Sequence, residues 1–208
     1  MGAARSTGRS LLVMAAVVAL AGCATRPPSQ VDDVCRIFHE KPDWHHAALA
    51  AQKRYGAPVS LQMAIIQQES NFQHDVRAPR KRHFFGLIPG RRLSTAFGYS
   101  QALDGTWRAY VQDTGVRGAR RDHFDDAVDF VGWYLDQSRR RNGVPYSNTV
   151  DHYLNYHEGW GGYARRSYQS KSWLLQVARK VEGRRAAYAS QMASCKTPTR
   201  GFWQRLLS

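Results

Sequence analysis

The sequence has few cysteines, few acidic side chains and no clear alternating pattern of apolar and polar residues. Only three Cys occur among 208 residues, too few for a cysteine-rich metal site. Asp and Glu number 16 against 30 Lys and Arg, so the net charge is +14 at pH 7, and the surface should attract anionic polymers or anionic membranes. Aromatic residues make up 12% of the chain, which excludes disorder as its main state.

The apolar run at residues 11–21 is too short to span a bilayer as a helix. Two arginines precede it, as in the basic start of a signal peptide. Residues 20–23, Leu-Ala-Gly-Cys, resemble the lipobox of bacterial lipoproteins, in which cleavage before the Cys leaves that Cys to carry the lipid. The resemblance implies a signal peptide at 1–22, a lipid on Cys23 and, because Ala24 follows, sorting to the periplasmic face of the outer membrane. An ordinary secretory signal with a chance Cys is the alternative.

The mature chain would have 186 residues, enough for one domain. Its 28 Lys and Arg would exceed its 16 Asp and Glu by 12. Residues 23–33 are poor in apolar side chains and are predicted to form a lipidated tether. We expect the folded domain over 34–196 and a short amphipathic tail over 197–208.

With Cys23 assigned to lipid, Cys35 and Cys195 remain, one near each end of the mature chain. In an exported protein the simplest expectation is that they pair. The bridge would close a loop of 160 residues, for which chain entropy gives at most about 5 kcal/mol. Two free thiols are the alternative.

Helical spacing of apolar residues runs through most of the chain, so we predict a mainly α single domain. Asp43 and Ser60 are candidate N-caps, and a further helix starts near Ser147 and ends in Gly-rich residues. The clearest pattern, over 122–141, has acidic residues in its first turn and arginines in its last. Residues 74–97 are the least regular, and a long loop or small hairpin is expected there.

A carboxylate lies on the apolar stripe of the segment 60–72. Leu61, Ala64 and Ile65 define this stripe, and its continuation reaches Glu69. Burial raises the pKa of a carboxyl group, so Glu69 at the mouth of an apolar groove would be suited to general acid catalysis. A Glu at a fraying helix end, solvated or paired with Arg, is the alternative.

Three motifs in order carry a family resemblance. Residues 69–72 read Glu-Ser-Asn-Phe, residues 98–101 read Gly-Tyr-Ser-Gln, and residues 153–159 read Tyr-Leu-Asn-Tyr-His-Glu-Gly. They are similar to the Glu-Ser-x-Phe, Gly-Leu-Met-Gln and Ala-Tyr-Asn-Ala-Gly motifs of the lytic transglycosylases with a lysozyme-like SLT domain. Each motif alone is weak, whereas the ordered set is fairly specific.

The resemblance implies a lysozyme-like fold, of the SLT and goose-type lysozyme kind, with a groove for peptidoglycan glycan strands. It implies cleavage of the β-1,4 bond between N-acetylmuramic acid and N-acetylglucosamine, with formation of a 1,6-anhydro sugar. Glu69 would act first as acid and then as base. The protein is expected to work as a monomer and without a cofactor.

Further site residues are carried over from the motifs. Gln101 is expected to bind substrate through its amide, and Ser70 to orient Glu69 or touch the sugar. Tyr156 is expected to place its hydroxyl near the reacting sugar or Glu69. The alternatives are a helix-start Gln, a Ser bonded back to a carbonyl, and a packed Tyr whose hydroxyl reaches a backbone group.

The third motif departs from the family pattern at His157 and Glu158, where Asn and Ala are usual. Both remain candidate substrate-binding residues. A catalytic Glu158 would make the protein a lysozyme-type hydrolase with two carboxylates. Pairing of Glu158 with Arg165 or Arg166 is the alternative. A peptidoglycan-binding or envelope-assembly lipoprotein without turnover is a further hypothesis.

Metal and nucleic-acid sites are not predicted. The pairs His39-Glu40 and His157-Glu158 are not followed by a second His at the spacing that zinc proteases use. An exported lipoprotein meets little nucleic acid, so its basic surface is expected to face anionic murein and lipid headgroups.

Overall fold

A computed structural model describes residues 26–83 and 88–195, without the side chains of residues 80–91. The predicted signal peptide 1–22, the lipidated Cys23 and the tail 197–208 lie outside the described residues. The helices of the described part are α1 Val34–Glu40, α2 Pro42–Tyr55, α3 Val59–Ser70, α4 Asp104–Thr114, α5 Phe124–Asn142, α6 Thr149–Ala164 and α7 Ser172–Ser194. A 3₁₀ turn, Ser167–Ser170, joins the last two helices. The mainly α, lysozyme-like class is confirmed.

The irregular segment 74–97 contains a two-stranded antiparallel hairpin, β1 Arg80–His83 and β2 Ile88–Arg92. Arg80 pairs with Arg92 and His83 with Ile88. The hairpin lies between α3 and α4, and therefore between the first two sequence motifs.

The predicted N-caps Asp43 and Ser60 are wrong, because each helix starts earlier, at or directly after a proline. α2 begins at Pro42 with Asp43 inside its first turn, and α3 follows Pro58, which is its N-cap residue. Ser60 is therefore a buried helical residue and not a cap. Proline suits the start of a helix because it lacks the N–H that would have no partner there, and its φ is already near the helical value.

The helices α5 and α6 follow their predicted patterns with adjusted ends. α5 ends at Gly143, whose φ of 68° is left-handed. α6 starts one residue after Asn148, whose side chain accepts a hydrogen bond from the Asp151 backbone N–H. Gly159, with φ 73° and ψ 160°, interrupts α6, but the helix resumes and runs to Ala164. The Gly-rich stretch thus kinks the helix and does not end it.

The core is centred on α3, which contacts α2, α5 and α7. Nine of its twelve residues are buried. Beside it, the rings of Trp44 and Phe124 stack with centroids 3.9 Å apart. The last turn of α3 is only partly buried, and Glu69 lies in it with one carboxyl oxygen, Oε1, fully enclosed.

The two ends of the described chain meet. A disulfide joins Cys35 to Cys195, with Cα atoms 5.9 Å apart. The Val34 N–H donates to Gln191 Oε1 at 2.9 Å, and the Tyr188 hydroxyl donates to the Val31 carbonyl. Pro28 is buried as well, so residues of the predicted tether 23–33 contact the folded domain.

No helix in the described part of the chain combines the length and apolarity that crossing a membrane requires.

Candidate active site

Glu69 occupies the last turn of α3, and its Oε1 is fully buried without a hydrogen-bond partner among the described residues. Burial raises the pKa of this carboxyl to about 7, and a hydrogen bond with the Tyr153 hydroxyl opposes that rise. A carboxyl with this pKa can give up and regain a proton near neutral pH. The general-acid environment predicted from the apolar stripe is present.

Tyr153 is the residue that sequence reasoning missed. It is 4% exposed and faces Glu69 from α6, where burial and the nearby carboxylate raise the pKa of its own hydroxyl. It precedes Tyr156 by three residues, a spacing that puts both rings on one face of a helix. That spacing was available in the sequence as a signal.

Tyr156 links the second motif to the third. Its hydroxyl donates to the Ser100 carbonyl at 2.7 Å, and burial followed by the charge of Glu69 raises its pKa well above the usual value. The hydroxyl thus reaches a backbone carbonyl, as in the alternative interpretation of Tyr156, while Glu69 is near enough for its charge to raise the pKa of Tyr156. Because Tyr153 reaches Glu69 and Tyr156 reaches Ser100, the three motifs meet at one place.

A sharply turned loop positions the second motif. Gly98 has φ 76°, and a Cβ there would lie 2.1 Å from the Arg121 carbonyl oxygen, so only glycine fits. Gln101 also has a positive φ, 49°, and its Nε2 donates to the carbonyls of Val76 at 3.0 Å and Gly98 at 2.8 Å. The Gln101 amide N–H groups thus hold the loop, and among the described residues none donates to its Oε1.

A small cavity of about 150 Å³ brings residues of the second and third motifs together. Its described lining is Gln101, Ala102, Leu103, Thr106, Phe130, Tyr134, Tyr156, His157, Glu158 and Gly159. It is apolar on the α5 side and polar on the α6 side, as small ligand sites commonly are.

Ser70 is turned away from this cavity. Its hydroxyl donates to the Ile66 carbonyl at 3.2 Å, one turn back in α3, and the residue is buried. This is the alternative interpretation of Ser70, a serine whose hydroxyl forms a hydrogen bond with its own helix.

Glu158 is held by an ion pair and by hydrogen bonds from its neighbours. Its side chain is 4% exposed and accepts hydrogen bonds from Lys171 Nζ at 2.7 and 2.9 Å, from the Ser167 hydroxyl and from His157. Desolvation acts to raise its pKa, but the bonds from Lys171, Ser167 and His157 outweigh it and lower the pKa to about 2. The cation that pairs with Glu158 is Lys171, not Arg165 or Arg166.

His157 lies at the edge of the cavity, with its side chain 35% exposed and Nδ1 3.1 Å from Glu158 Oε1. The ring of Trp173 meets it edge-on, with centroids 5.2 Å apart. Trp173 itself is 52% exposed.

No other carboxyl of the protein shares the environment of Glu69. All 16 Asp and Glu lie in the described ranges. Burial also raises the pKa of Asp125, but that residue is exposed in the first turn of α5, near Asp43. Within the described ranges, no group of three or more His, Cys, Asp or Glu could hold a metal ion.

The family model described as the transglycosylase SLT domain matches residues 11–195. The chain belongs to the transglycosylase SLT family. Members of this family are lytic transglycosylases, and the domain implies binding of peptidoglycan. The comparison with curated proteins gave no match.

Proposed function

We propose that this SLT-family protein is a peptidoglycan lytic transglycosylase in which Glu69 is the single acid and base. The observation that supports this most strongly is the buried Glu69 carboxyl, with its pKa near 7 and an unpartnered Oε1, where the three motifs meet. A carboxyl with that pKa can give up and recover a proton at neutral pH.

The reaction needs one carboxyl and no water. Protonated Glu69 gives its proton to the glycosidic oxygen as the bond from that oxygen to the muramoyl anomeric carbon breaks. The resulting carboxylate takes the proton of the muramoyl 6-hydroxyl, whose oxygen bonds to the same carbon. The products are a 1,6-anhydro end and a free 4-hydroxyl, and Glu69 is protonated again. Tyr153 would hold the carboxylate during its charged interval.

Hydrolysis of the lysozyme type would need a second carboxylate as nucleophile or base. Glu158 is the candidate in the third motif, but Lys171, Ser167 and His157 already engage it. This favours the single-carboxylate reaction over the hydrolase alternative.

We also propose that the protein is a lipoprotein anchored at the periplasmic face of the outer membrane. The Leu-Ala-Gly-Cys sequence at 20–23 and the basic, apolar segment before it support this. Labelling of Cys23 with radioactive palmitate in cells, lost in Cys23→Ala, is the expected result. Unlabelled protein would leave residues 1–22 as an ordinary export signal.

The proposed activity is tested by incubating the protein with purified sacculi and following the release of soluble fragments. Glu69→Gln should reduce the rate by about 10²- to 10⁴-fold, the contribution typical of a general acid. Glu158→Gln, compared at equal folded concentration, should keep most of the activity. Tight sacculus binding by the unmodified protein without any release would instead indicate a binding lipoprotein.

A further inference from the structure

A cavity of about 580 Å³ lies at the base of the hairpin, and Glu69 is not among its described lining residues. Three arginines line it, Arg77, Arg92 and Arg121, together with one carboxylate, Asp104. Because all Asp and Glu of the sequence lie in the described ranges, no unseen acidic side chain balances this charge. The cavity therefore has an uncompensated positive charge.

Two of the arginines have structural partners. Arg121 donates through Nη1 to the carbonyls of Thr95 at 3.0 Å and Ala102 at 2.8 Å, and its Nη2 lies 2.8 Å from Asp104 Oδ1. Arg92 Nη1 donates to the Ala78 carbonyl at 2.9 Å. These two side chains build the wall of the cavity.

Arg77 is different. Its guanidinium lies 3.9 Å from the centroid of the Phe97 ring, and the backbones of these two residues form an antiparallel bridge. Among the described residues, none forms a hydrogen bond or ion pair with this guanidinium. A guanidinium that stacks on an aromatic ring leaves the N–H groups at its edge available. These N–H groups can donate two parallel hydrogen bonds to one carboxylate.

The loop that forms this cavity also forms the small cavity beside Tyr156. Ala102 lines the small cavity, while its carbonyl accepts from Arg121, which lines the large one. Leu103 and Asp104 are adjacent in sequence and line the small and the large cavity respectively. One stretch of chain therefore separates the two, so a branched ligand has a short path from one to the other.

We infer that this arginine cavity binds a carboxylate of the short peptides that peptidoglycan glycan strands carry, with Arg77 as the principal contact. The inference rests on the proposed function, since it takes the glycan strand to lie in the small cavity. The stem peptides bear free carboxylates, and a volume of about 580 Å³ suits the end of a peptide. The protein would then distinguish peptide-bearing strands from bare ones.

The test measures binding by calorimetry, using full-length protein with Glu69→Gln so that the ligand survives. The probes are glycan fragments with their stem peptides and the same fragments stripped of peptide by an amidase. The titrations are made at physiological ionic strength, so that the interactions of charges far from the bound ligand are screened. We expect the peptide-bearing fragments to bind about tenfold more tightly, the effect of one charge-assisted pair.

Three further variants locate the effect. Arg77→Gln should remove the preference for peptide-bearing fragments, and Arg77→Lys should restore only part of it because an ammonium lacks the planar fork. The matched control is Arg117→Gln, which removes the same charge from an exposed position outside the cavity lining, and it should keep the preference.

Equal binding of the two fragments would overturn this inference alone, whereas binding of neither would count against the proposed function as well. If Arg77→Gln and Arg117→Gln weakened the preference for peptide-bearing fragments equally, the preference would come from the overall positive charge of the protein, and the inference would be overturned too. The inference would also be overturned if Arg77→Gln weakened the binding of phosphatidylglycerol vesicles but left the binding of peptide-bearing fragments unchanged. The cavity would then bind a lipid headgroup.

Discussion

The pKa values of Glu69 and Glu158 are shifted in opposite directions, and the neighbours of the two carboxyl groups explain why. Glu69 is enclosed by apolar helices with one hydroxyl facing it, so its pKa rises to about 7. The side chain of Glu158 is also little exposed, at 4%, but Lys171 and Ser167 donate to it and its pKa falls to about 2. The pairing at Glu158 could not be derived from the sequence, because it depends on the turn that brings Lys171 back onto α6.

The first prediction concerns the pH dependence of activity. A general acid must be protonated in the free enzyme, so kcat/KM should fall as the pH rises through about 7. The Tyr153 hydroxyl lowers the pKa of Glu69, so Tyr153→Phe should move this alkaline limb to higher pH. Tyr168→Phe, a substitution in the 3₁₀ turn, is the control and should leave the limb in place. A limb that Tyr153→Phe does not move would contradict the assignment of Glu69.

The second prediction concerns stability. In the folded protein Glu69 has a pKa near 7, above its usual 4.5, so the folded state holds its proton more tightly than the unfolded state. The native protein should therefore lose stability, relative to Glu69→Gln, as the pH rises from about 4.5 to 7. The loss is about 3 kcal/mol at most. Urea unfolding of both proteins at several pH values measures it, and a difference independent of pH would contradict the buried site.

The third prediction concerns Glu158→Gln. Loss of the charge that Lys171 and Ser167 stabilise should lower the unfolding free energy by about 1–3 kcal/mol. Thermal unfolding measures this, with Glu182→Gln as an exposed control on α7. Loss of activity comparable to that of Glu69→Gln, in protein of unchanged Tm, would instead make Glu158 a catalytic group.

At the scale of elements, the loop between the hairpin and α4 is constrained by its backbone. Gly98 packs against the Arg121 carbonyl, and Gln101 holds a left-handed φ while bonding two carbonyls. Backbone of this kind is found where a fold positions a site. It keeps Ser100 within reach of Tyr156 and fixes one wall of each cavity.

The fourth prediction compares two glycines with similar φ. Gly98→Ala would place a methyl group 2.1 Å from the Arg121 oxygen, so we expect a loss of about 3 kcal/mol or more together with most activity. Gly115 has φ 70° but open space around it, so Gly115→Ala should lose only about 1–2 kcal/mol and retain activity. Equal effects in thermal unfolding would show that the close approach at Gly98 is unimportant.

Periodicity and charge predicted the helices well where local signals agreed, as in α5 with its acidic first turn, basic last turn and final Gly143. They failed at Pro42 and Pro58, where proline set the start and the polar candidate cap lay inside the helix. The position of Glu69 followed from its stripe. The sequence did not predict the contact of Tyr153 with Glu69 or that of Arg77 with Phe97. Each contact joins two side chains whose directions depend on tertiary packing.

At the scale of the whole molecule, the ends of the described chain are fastened together by residues outside the three motifs. The disulfide is accompanied by the ion pair of Asp32 with Arg184 and by the hydrogen bond from Val34 to Gln191. These contacts hold α1 against α7.

The fifth prediction follows from this separation. Replacing Cys35 and Cys195 together by Ser should lower stability by up to about 5 kcal/mol, the chain-entropy value for a loop of 160 residues. Well below the new Tm, activity on sacculi should be unchanged. Calorimetric unfolding and the release assay measure the two effects, and loss of activity in folded protein would show that the ends of the chain shape the site.

If Glu69 is the single acid and base, the glycosidic bond is cleaved without the incorporation of water. Mass spectrometry of the fragments released from sacculi in heavy-oxygen water distinguishes this reaction from hydrolysis. We expect 1,6-anhydro ends without incorporated heavy oxygen, absent with Glu69→Gln and retained with Glu158→Gln. Reducing ends carrying heavy oxygen, formed only when both Glu69 and Glu158 are present, would contradict this expectation and identify a hydrolase.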